Sequence, residues 1–323
     1  MKIQAFWRAI QVKDSPSPYD TIHLKVFYPS NDSDTQDPFS DAPAAKDLAP
    51  FPVAIFLNGF NCSLSAYQWL AIELASRGLV VVLFDWLVKT DRNVFLSPGV
   101  DLAALSSKTY GTVPSASALP LLLDELDNLQ SNGVLAGLLD LQKIVLGGHS
   151  AGGRLALENA EPKFFDGLAG AFSYGAHSAA PMSMGYNPGT ILPLPDSLPM
   201  LLMGGTEDGV IAKNSKIYGL EKWSAPATPV IRTFKEAINP GRGDSYLAIV
   251  EGANHFAIAD PVDPTLSVTA FDFAAKGSKA EIRSLIASTI GLFIDTFIGD
   301  RFPKSQFVQL LQNNSLIAFT ESK

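Results

Sequence analysis

From residue 53 onwards, short apolar runs alternate with longer helix-like runs, and this alternation limits the possible folds. The apolar runs have the length and composition of buried strands, and the runs between them have the character of helices. The pairs are Val53–Leu57 with Ala66–Ser76, Leu79–Phe84 with Ser115–Leu129, and Lys143–Leu146 with Gly153–Ala160, and further strand-like runs follow at Leu168–Tyr174, Leu198–Met203 and Tyr246–Val250. Apolar strands separated by helices predict an α/β fold with a mostly parallel sheet covered on both faces.

The rest of the chain adds elements at its two ends. Two β-like runs, Gln4–Val12 and His23–Tyr28, come first, and the polar stretch from Ser30 to Pro50 predicts a surface loop. Leu285–Ile298 is apolar but interrupted by polar residues, which favours a core helix over a membrane span. Because we see no repeat and no interdomain linker, we expect a single domain over residues 1–323.

Composition narrows the class of protein. Of the 323 residues, 47% are hydrophobic and 17% charged, which supplies a sizeable core and too little charge for disorder. The net charge of -8, without a cluster of Lys and Arg, argues against a nucleic-acid partner. No cluster of Cys and His has the spacing of metal ligands, so we expect neither a metal nor another cofactor.

Cysteine usage and the first residues bear on location. The single cysteine, Cys62, excludes an internal disulfide and suits a reducing compartment. The sequence begins without a long apolar segment or a small-residue cleavage site. These features predict a cytoplasmic protein with no integral membrane segment, and they leave peripheral contact with a membrane open.

A serine stands in a glycine-rich stretch between a strand-like run and a helix-like run. Residues 148–152, Gly-His-Ser-Ala-Gly, fit the pattern G-x-S-x-G of a nucleophile elbow, with Ser150 at its centre. Such a tight turn strains the serine backbone and needs small neighbours where strand and helix approach. The pentapeptide alone could also be an ordinary glycine-rich bend. The strand before it and the helix after it favour Ser150 as a nucleophile.

A serine nucleophile needs a base, and the chain has four histidines. His255 follows the last predicted parallel strand in a Gly/Asn loop, from which an imidazole can reach back to Ser150, so we assign it as the base. We expect His23 to be structural and His149 to be a packing residue that could shape the site. His177 could line the pocket or simply form loop hydrogen bonds.

The remaining parts of the site are predicted from loops that follow other strands. A carboxylate should stand between serine and histidine in the chain, and we rank Asp208 first and Glu207 second, against a merely solvated acidic turn. The backbone N–H groups of Ala151 and Phe60 are the expected oxyanion hole, with the Phe60 ring as a wall of the acyl pocket. The Asn58-Gly59 pair could otherwise be an ordinary turn.

The sequence resembles the α/β-hydrolase serine esterases. The resemblance rests on residues 51–85, on the elbow GGHSAGG, on the acid loop GGTEDGV and on GANHF, and it spans about Val53 to Phe256. The branch that it resembles most comprises the chlorophyllases, polyester hydrolases and platelet-activating-factor acetylhydrolases. It implies Ser150, Asp208 and His255 as the catalytic triad and the N–H groups of Phe60 and Ala151 as the oxyanion hole.

Two departures from this family bear on the substrate. At the position of Ala151, plant chlorophyllases have Arg and polyester hydrolases usually have Met. The oxyanion loop of this chain begins with Asn58, where His is common in the family. The secreted polyester hydrolases also tend to have a disulfide and a signal peptide. Their absence from this sequence shifts the prediction towards a chlorophyllase-like enzyme.

The pocket is predicted from two further segments. Residues 179–197 contain an apolar stretch, rich in Met, Ile, Leu and Tyr and uncharged through residue 195, and predict either a lid or pocket loop, with Met182 and Met184 as contacts, or a loop packed on the body of the domain. The segment Trp86–Asp101 could form a second wall through Trp86 and Phe95. The other pocket candidates are His177 and Phe60.

The predicted function is hydrolysis of a carboxylic ester through an acyl-serine intermediate, with a lipophilic small-molecule ester as the partner. Chlorophyll, a phytyl ester, is the most concrete substrate that the resemblance implies. A general carboxylesterase, a lipase and a polyester hydrolase are alternatives, and an acyltransferase or perhydrolase would share the same residues. A ligand-binding protein on a hydrolase scaffold is the alternative from another class.

Overall fold

The apolar runs form strands of one mixed sheet in the computed structural model, which describes residues 1–31, 41–91 and 93–323. Residues 32–40 of the predicted polar loop, and Arg92 of the predicted second pocket wall, lie outside the described residues. The strands are β1 (Lys2–Gln11), β2 (Thr21–Ser30), β3 (Phe51–Leu57), β4 (Val80–Lys89), β5 (Val94–Leu96), β6 (Leu139–His149), β7 (Leu168–Tyr174), β8 (Met200–Glu207), β9 (Tyr246–Asn254) and β10 (Ile317–Ser322).

The middle of the sheet is parallel and its margins are antiparallel. The strand order is β1-β2-β4-β3-β6-β7-β8-β9-β10, and β5 pairs with the end of β4. In the strand order from β4 to β9, each neighbouring pair is parallel, whereas the pairs β1–β2, β2–β4 and β9–β10 are antiparallel. The carboxyl ends of six parallel strands therefore meet at one edge of the sheet, which is where α/β proteins place their ligands.

Helices cover both faces of the sheet. They are α1 (Gln68–Ala75), α2 (Leu119–Ser131), α3 (Ser150–Glu158), α4 (Gly209–Lys213), α5 (Thr228–Ala237), α6 (Lys279–Phe297) and α7 (Lys304–Asn313). Helices α2, α3 and α5 pack in one hydrophobic layer, and α1, α6 and α7 pack in the other. Strand β3 contributes to both, since Val53, Ile55 and Leu57 face the first layer while Ala54 and Phe56 face the second. The predicted α/β class is confirmed.

Several element bounds differ from the predicted ones for local reasons. The helix expected over Ser115–Leu129 begins at Leu119, because Pro120 occupies its first turn and fits there without a missing hydrogen bond. The helix expected from Gly153 begins at Ser150 itself. Strands β5 and β10 lie at the margins of the sheet and are partly exposed, so their sequences lack the continuous apolar pattern of the buried strands.

The longest apolar run in the second half of the chain forms helix α6, whose residues from Ile282 to Thr296 are mostly buried against the sheet. The core helix predicted there is confirmed. No helix among residues 1–31, 41–91 and 93–323 has the length and apolar character needed to cross a membrane. Cys62 is buried and is a free thiol.

Candidate active site

Ser150 lies at the junction of β6 and α3, where the chain turns sharply. Its φ angle is +54°, a left-handed conformation that residues with a side chain rarely adopt. The turn is so closely packed that only glycine fits at two of its positions. A Cβ atom at Gly152 would overlap the Leu57 carbonyl oxygen, and one at Gly148 would overlap the Gly152 backbone. Backbone strain held in place by such close packing is typical of functional sites. The elbow presents Ser150 at the first residue of α3.

His255 and Asp208 form a buried pair at the same edge of the sheet. The Nδ1 atom of His255 lies 2.8 Å from Oδ2 of Asp208, and both side chains are almost fully buried. The second carboxylate oxygen, Oδ1, accepts a hydrogen bond of 2.8 Å from the Ile211 N–H, so Asp208 also caps the first turn of α4. This arrangement fixes the orientation of the carboxylate and, through it, of the imidazole.

The pKa of His255 reflects two opposed effects. Burial disfavours the imidazolium and lowers the pKa, while the Asp208 carboxylate, its hydrogen bond and the nearby Asp272 raise it. The raising effects prevail, so the pKa of His255 lies above its ordinary value of 6.5. The site therefore stabilises an imidazolium, which is the form that a base adopts after it has taken a proton from serine.

Ser150 and His255 both line two cavities that meet at the elbow, one of about 340 Å³ and one of about 330 Å³. Within the described residues, the Ser150 hydroxyl forms no hydrogen bond to His255. Contacts of this kind are often long in unliganded enzymes and tighten when the substrate binds. The structure thus brings the three predicted triad residues to one site, with a base oriented towards a common cavity.

Phe60 and Ala151 supply backbone N–H groups beside Ser150. Ala151 is in the first turn of α3, where N–H groups have no acceptor within the helix. The Phe60 N–H makes no hydrogen bond among the residues that the structure describes. A Cβ placed on Gly59 would lie 3.5 Å from Cβ of Ser150, so the loop before Phe60 packs directly on the elbow. Two unpaired donors near a nucleophile are what an oxyanion hole requires.

Asp85 holds the loop that carries Phe60, a role that was not predicted from the sequence. Its carboxylate accepts hydrogen bonds from the Leu64 N–H at 2.7 Å and from the Ser63 hydroxyl at 2.9 Å. The Asn58 side-chain amide donates a hydrogen bond of 2.7 Å to the carbonyl of Phe84, which precedes Asp85 in β4. An acidic residue directly after the apolar run 79–84 was the available signal.

Asp272 joins the loop that carries Asp208 to the loop that carries His255, and this role too was not predicted from the sequence. Its Oδ1 atom accepts from the N–H groups of Gly209 at 3.0 Å and His255 at 3.2 Å, and its Oδ2 atom accepts from the Phe256 N–H at 3.2 Å. The residue stands 17 positions after the base, directly after a short 3-10 segment, and follows no sequence motif. Only the folded chain brings it to the site.

His149 is more than a packing residue, because both of its ring nitrogens are hydrogen-bonded in the core. Nε2 lies 2.9 Å from the His255 carbonyl oxygen, and Nδ1 lies 2.8 Å from the Tyr67 hydroxyl. A carbonyl can only accept, so Nε2 carries the hydrogen and Nδ1 accepts from the Tyr67 O–H. Burial and the adjacent His255 hold the pKa of His149 well below its ordinary value, which keeps the ring neutral.

The same network continues into the oxyanion loop. The Tyr67 oxygen accepts a hydrogen bond of 3.3 Å from the Gly59 N–H, one residue before Phe60. His149 and Tyr67 are completely buried. A chain of hydrogen bonds therefore links the backbone of His255, the residue before Ser150, and the loop that leads to Phe60.

The larger cavity contains three of the five predicted pocket residues. Phe60, His177 and Met184 line it, together with apolar side chains from other loops: Val100, Leu102, Leu105 and Ile217. Phe95 packs edge-on against Phe60 with ring centroids 5.5 Å apart, behind the cavity wall. The smaller cavity is lined by Phe60, Asn61, Phe256, Leu266 and Val268, among others.

Two predicted pocket residues lie elsewhere. Trp86 follows Asp85 in β4 and so points to the opposite face, where its indole donates a 3.0 Å hydrogen bond to the Tyr19 carbonyl. Met182 begins a short 3-10 turn, is 47% exposed and is not part of either cavity wall at the elbow. Its neighbour Met184, two residues later, faces the cavity instead.

The segment 179–197 both packs on the domain and contributes to the cavity. An isolated bridge joins Ala179 to Ile191, and Leu192 and Leu194 are buried. Pro181 and Met184 line the larger cavity. The segment thus packs on the domain and also lines the cavity, and its role as a lid stays a prediction.

The other residues considered as site candidates have different partners. Glu207 forms an ion pair of 2.6 Å with Lys276, and among the described residues its carboxylate forms no hydrogen bond or ion pair with His255. His23 lies on the exposed side of β2. In the described part of the chain, no group of three or more His, Cys, Asp or Glu side chains is arranged to hold a metal ion.

Comparisons with known proteins bear on the fold. No protein-family model matches the chain, and no curated protein sequence matches it. Among solved structures, it is similar to a ferulic acid esterase from Streptomyces cinnamoneus, with a TM-score of 0.60 and 16% identity over 99% of this chain and 96% of that one. At this identity the likeness shows a shared fold. The chain has the α/β-hydrolase fold, and the chlorophyllase-like branch stays a prediction.

Proposed function

We propose that this protein hydrolyses carboxylic esters through an acyl intermediate on Ser150. One observation carries the proposal: a serine on a strained elbow shares its cavity with a histidine that is paired at 2.8 Å with a buried aspartate. This combination recurs in enzymes of unrelated fold because it activates a hydroxyl that is otherwise a weak nucleophile. The similarity in fold to a ferulic acid esterase agrees with this reaction.

The chemistry proceeds in two halves. Nε2 of His255 removes the Ser150 hydroxyl proton as Oγ attacks the ester carbonyl, and the resulting oxyanion accepts hydrogen bonds from the Phe60 and Ala151 N–H groups. The tetrahedral intermediate then breaks its bond to the alcohol oxygen, which takes the proton from His255. In the second half, His255 removes a proton from water, hydroxide attacks the acyl-serine, and Ser150 regains its proton as the acid departs.

The parts of the site have different roles in the reaction. Asp208 keeps the Nδ1 hydrogen of His255 in place and stabilises the imidazolium. A single oxyanion donor typically contributes about 10²- to 10³-fold to kcat. The ester needs room on both sides of its carbonyl, and the two cavities that meet at Ser150 offer space for an acyl arm and an alcohol arm.

The cavity walls favour a lipophilic ester. Leu102, Leu105, Met184 and Ile217 form much of the larger cavity, which at about 340 Å³ is within the range of small-molecule sites. Within this class, the phytyl ester of chlorophyll is the most concrete substrate, on the strength of the resemblance in sequence motifs. An ester of ferulic acid, the acid for which the structural neighbour is named, is a second candidate within the same reaction class.

Hydrolysis rates for a panel of esters test the proposal. The panel comprises chlorophyll, a ferulate ester and p-nitrophenyl esters of graded acyl length, each assayed with the wild type and with Ser150→Ala. We expect turnover of at least one ester, abolished in Ser150→Ala. Turnover of short esters with chlorophyll untouched would exclude the chlorophyllase-like substrate and leave a general carboxylesterase. Equal rates for the two proteins would contradict the assignment of Ser150.

Product analysis separates a hydrolase from an acyltransferase or a perhydrolase. The assay supplies an alcohol or hydrogen peroxide in competition with water and identifies the acyl product. We expect the free acid to predominate, because the mechanism needs only water activated by His255. A predominant transferred acyl product would assign the same residues to group transfer.

A further inference from the structure

One end of the larger cavity is formed by hydrogen-bond donors that lack partners, and Arg154 is the first of them. It follows Ser150 by one turn of α3 and lines the cavity. Its Nε atom donates to Glu158 Oε1 at 2.7 Å and its Nη1 atom to the Ala179 carbonyl at 2.8 Å, whereas the buried Nη2 atom has no partner in the described residues. A buried guanidinium N–H without an acceptor is costly.

His177 is the second donor. Its Nδ1 atom accepts a hydrogen bond of 3.2 Å from the Ala179 N–H, so the hydrogen of the neutral ring resides on Nε2. Burial and the nearby Arg154 and His255 lower the pKa of His177 to about 3, which keeps the ring neutral. The side chain is at least nine-tenths buried, lines the cavity, and has no acceptor for Nε2–H among the described residues.

Tyr218 completes the cluster. Its ring meets His177 edge-on with centroids 5.0 Å apart, and it lines the same cavity. Its hydroxyl makes no hydrogen bond within the part of the chain that the structure describes. Close by, the buried indole N–H of Trp223 also lacks a partner, and its ring centroid is 5.9 Å from that of Tyr218. We call Arg154, His177 and Tyr218 the donor cluster.

The charge balance around the donor cluster indicates which kind of ligand oxygen it favours. Glu158 neutralises Arg154, and its other oxygen accepts from the Ser115 hydroxyl at 3.0 Å. His177 is neutral and Tyr218 carries no charge in its ordinary form. The cluster therefore offers N–H and O–H groups without an uncompensated positive charge, which suits an uncharged acceptor oxygen better than a carboxylate.

We propose that the donor cluster binds an uncharged oxygen, such as a ketone, ether or hydroxyl oxygen, at the end of one arm of the substrate ester. This proposal rests on the proposed function for the identity of the ester, and it adds a polar group to a substrate whose arms are otherwise apolar. Arg154 lies one turn of α3 after Ser150, and both residues line the same cavity, so one bound ester can contact both.

Equilibrium binding to Ser150→Ala protein tests the proposal without relying on turnover. The ligands are matched pairs of esters that end in an acetyl group or in its isosteric isopropenyl group, with the group on the acyl arm in one pair and on the alcohol arm in the other. Each pair is prepared with a graded series of spacer lengths between the ester and its terminal group. Calorimetry gives Kd for each ligand.

We expect the acetyl member of one pair to bind about tenfold more tightly, because its oxygen satisfies a buried donor. Adding Tyr218→Phe should reduce this preference about threefold and leave the Kd of the isopropenyl ester unchanged. Tyr28→Phe is the matched control, since Tyr28 is a buried tyrosine with one hydrogen bond, of 2.7 Å to the Ala42 carbonyl. It should leave both values unchanged.

Equal Kd values within both pairs, or a preference that Tyr218→Phe does not alter, would overturn the proposal. Tighter binding of a matched carboxylate than of the acetyl ester would overturn the choice of an uncharged oxygen. Wild-type turnover of the same esters separates the donor cluster from the proposed reaction: binding preference without turnover supports the donor cluster and contradicts ester hydrolysis, whereas turnover with equal Kd values does the reverse.

Discussion

The imidazole of His255 and the carboxylate of Asp208 are joined by a hydrogen bond of 2.8 Å in a position from which solvent is almost excluded. The pair holds His255 in one tautomer and favours its protonated form. The preceding residue, Glu207, instead pairs with Lys276 at the surface. The sequence could only rank Asp208 above Glu207 as the acid. The structure shows that the two carboxylates have different partners.

Replacing Asp208 tests this difference. Asp208→Asn should lower kcat by about 10³- to 10⁴-fold, because the amide no longer stabilises the imidazolium. The residual activity should have its acid limb at lower pH. The Asp208 carboxylate is the main group that raises the pKa of His255, so without it the lowering effect of burial prevails. Glu207→Gln is the matched control and should keep near wild-type kcat. Equal losses in the two variants would contradict the assignment.

The pH dependence of the wild type follows from the raised pKa of His255. The base must be neutral to accept a proton, so kcat/KM should rise with pH through an inflection above 6.5. For stability the sign is opposite: a raised folded-state pKa contributes stability below the unfolded value, and this is lost as pH rises through the folded value. A profile of kcat/KM against pH checks the position of the inflection.

Denaturant unfolding checks the effect on stability. The free energy of unfolding of the wild type should exceed that of His255→Gln by more at about pH 6 than at about pH 9.

The Tyr67–His149 network should affect rate more than substrate binding. Tyr67→Phe removes the acceptor of the Gly59 N–H and the donor to His149. We expect kcat to fall about tenfold with little change in KM, because the oxyanion loop loses its support in the transition state. The free energy of unfolding should fall by ~1–3 kcal/mol.

Tyr28→Phe again provides the control, because it removes a buried hydrogen bond from the sheet margin away from the elbow. It should lower stability to a similar extent and leave kcat unchanged. If both variants reduced kcat equally, the effect of Tyr67 would be one of general stability and not of positioning.

The elbow should not tolerate a methyl group at Gly152. Gly152→Ala would force the new Cβ against the Leu57 carbonyl oxygen and separate α3 from β3. We expect a loss of ~1–3 kcal/mol in unfolding free energy, as for other overpacked sites, together with loss of activity. Gly204→Ala is a milder control, since its nearest contact would be a Val230 methyl group at 3.2 Å. Similar melting temperatures for Gly152→Ala and the wild type would contradict this packing.

The sequence predicted the parts of the site that follow from order along the chain. The strand and helix periods indicated a parallel sheet, and this implied that Ser150, Asp208 and His255 would lie at a common edge. Residues that act across loops were not predicted. Tyr67 and Asp272 reach the site through tertiary contacts that no local pattern specifies, and for Asp85 the sequence shows only that an acidic residue follows an apolar run.

Side-chain direction explains where the pocket prediction differs from the structure. Asp85 contacts the oxyanion loop, so the next residue of the strand, Trp86, faces away. The sequence shows that both residues end an apolar run, but not which one faces the site. Met182 and Met184 differ in the same way within a short turn.

Covalent labelling by a fluorophosphonate shows directly whether Ser150 is an activated nucleophile. The reagent reacts with a serine that is activated by a base and stabilised by an oxyanion hole, so its site of attachment reports on both. Intact mass followed by peptide mapping should show a single adduct on Ser150 in the wild type and none in Ser150→Ala. An unlabelled wild type, or an adduct that persists in Ser150→Ala, would contradict the account.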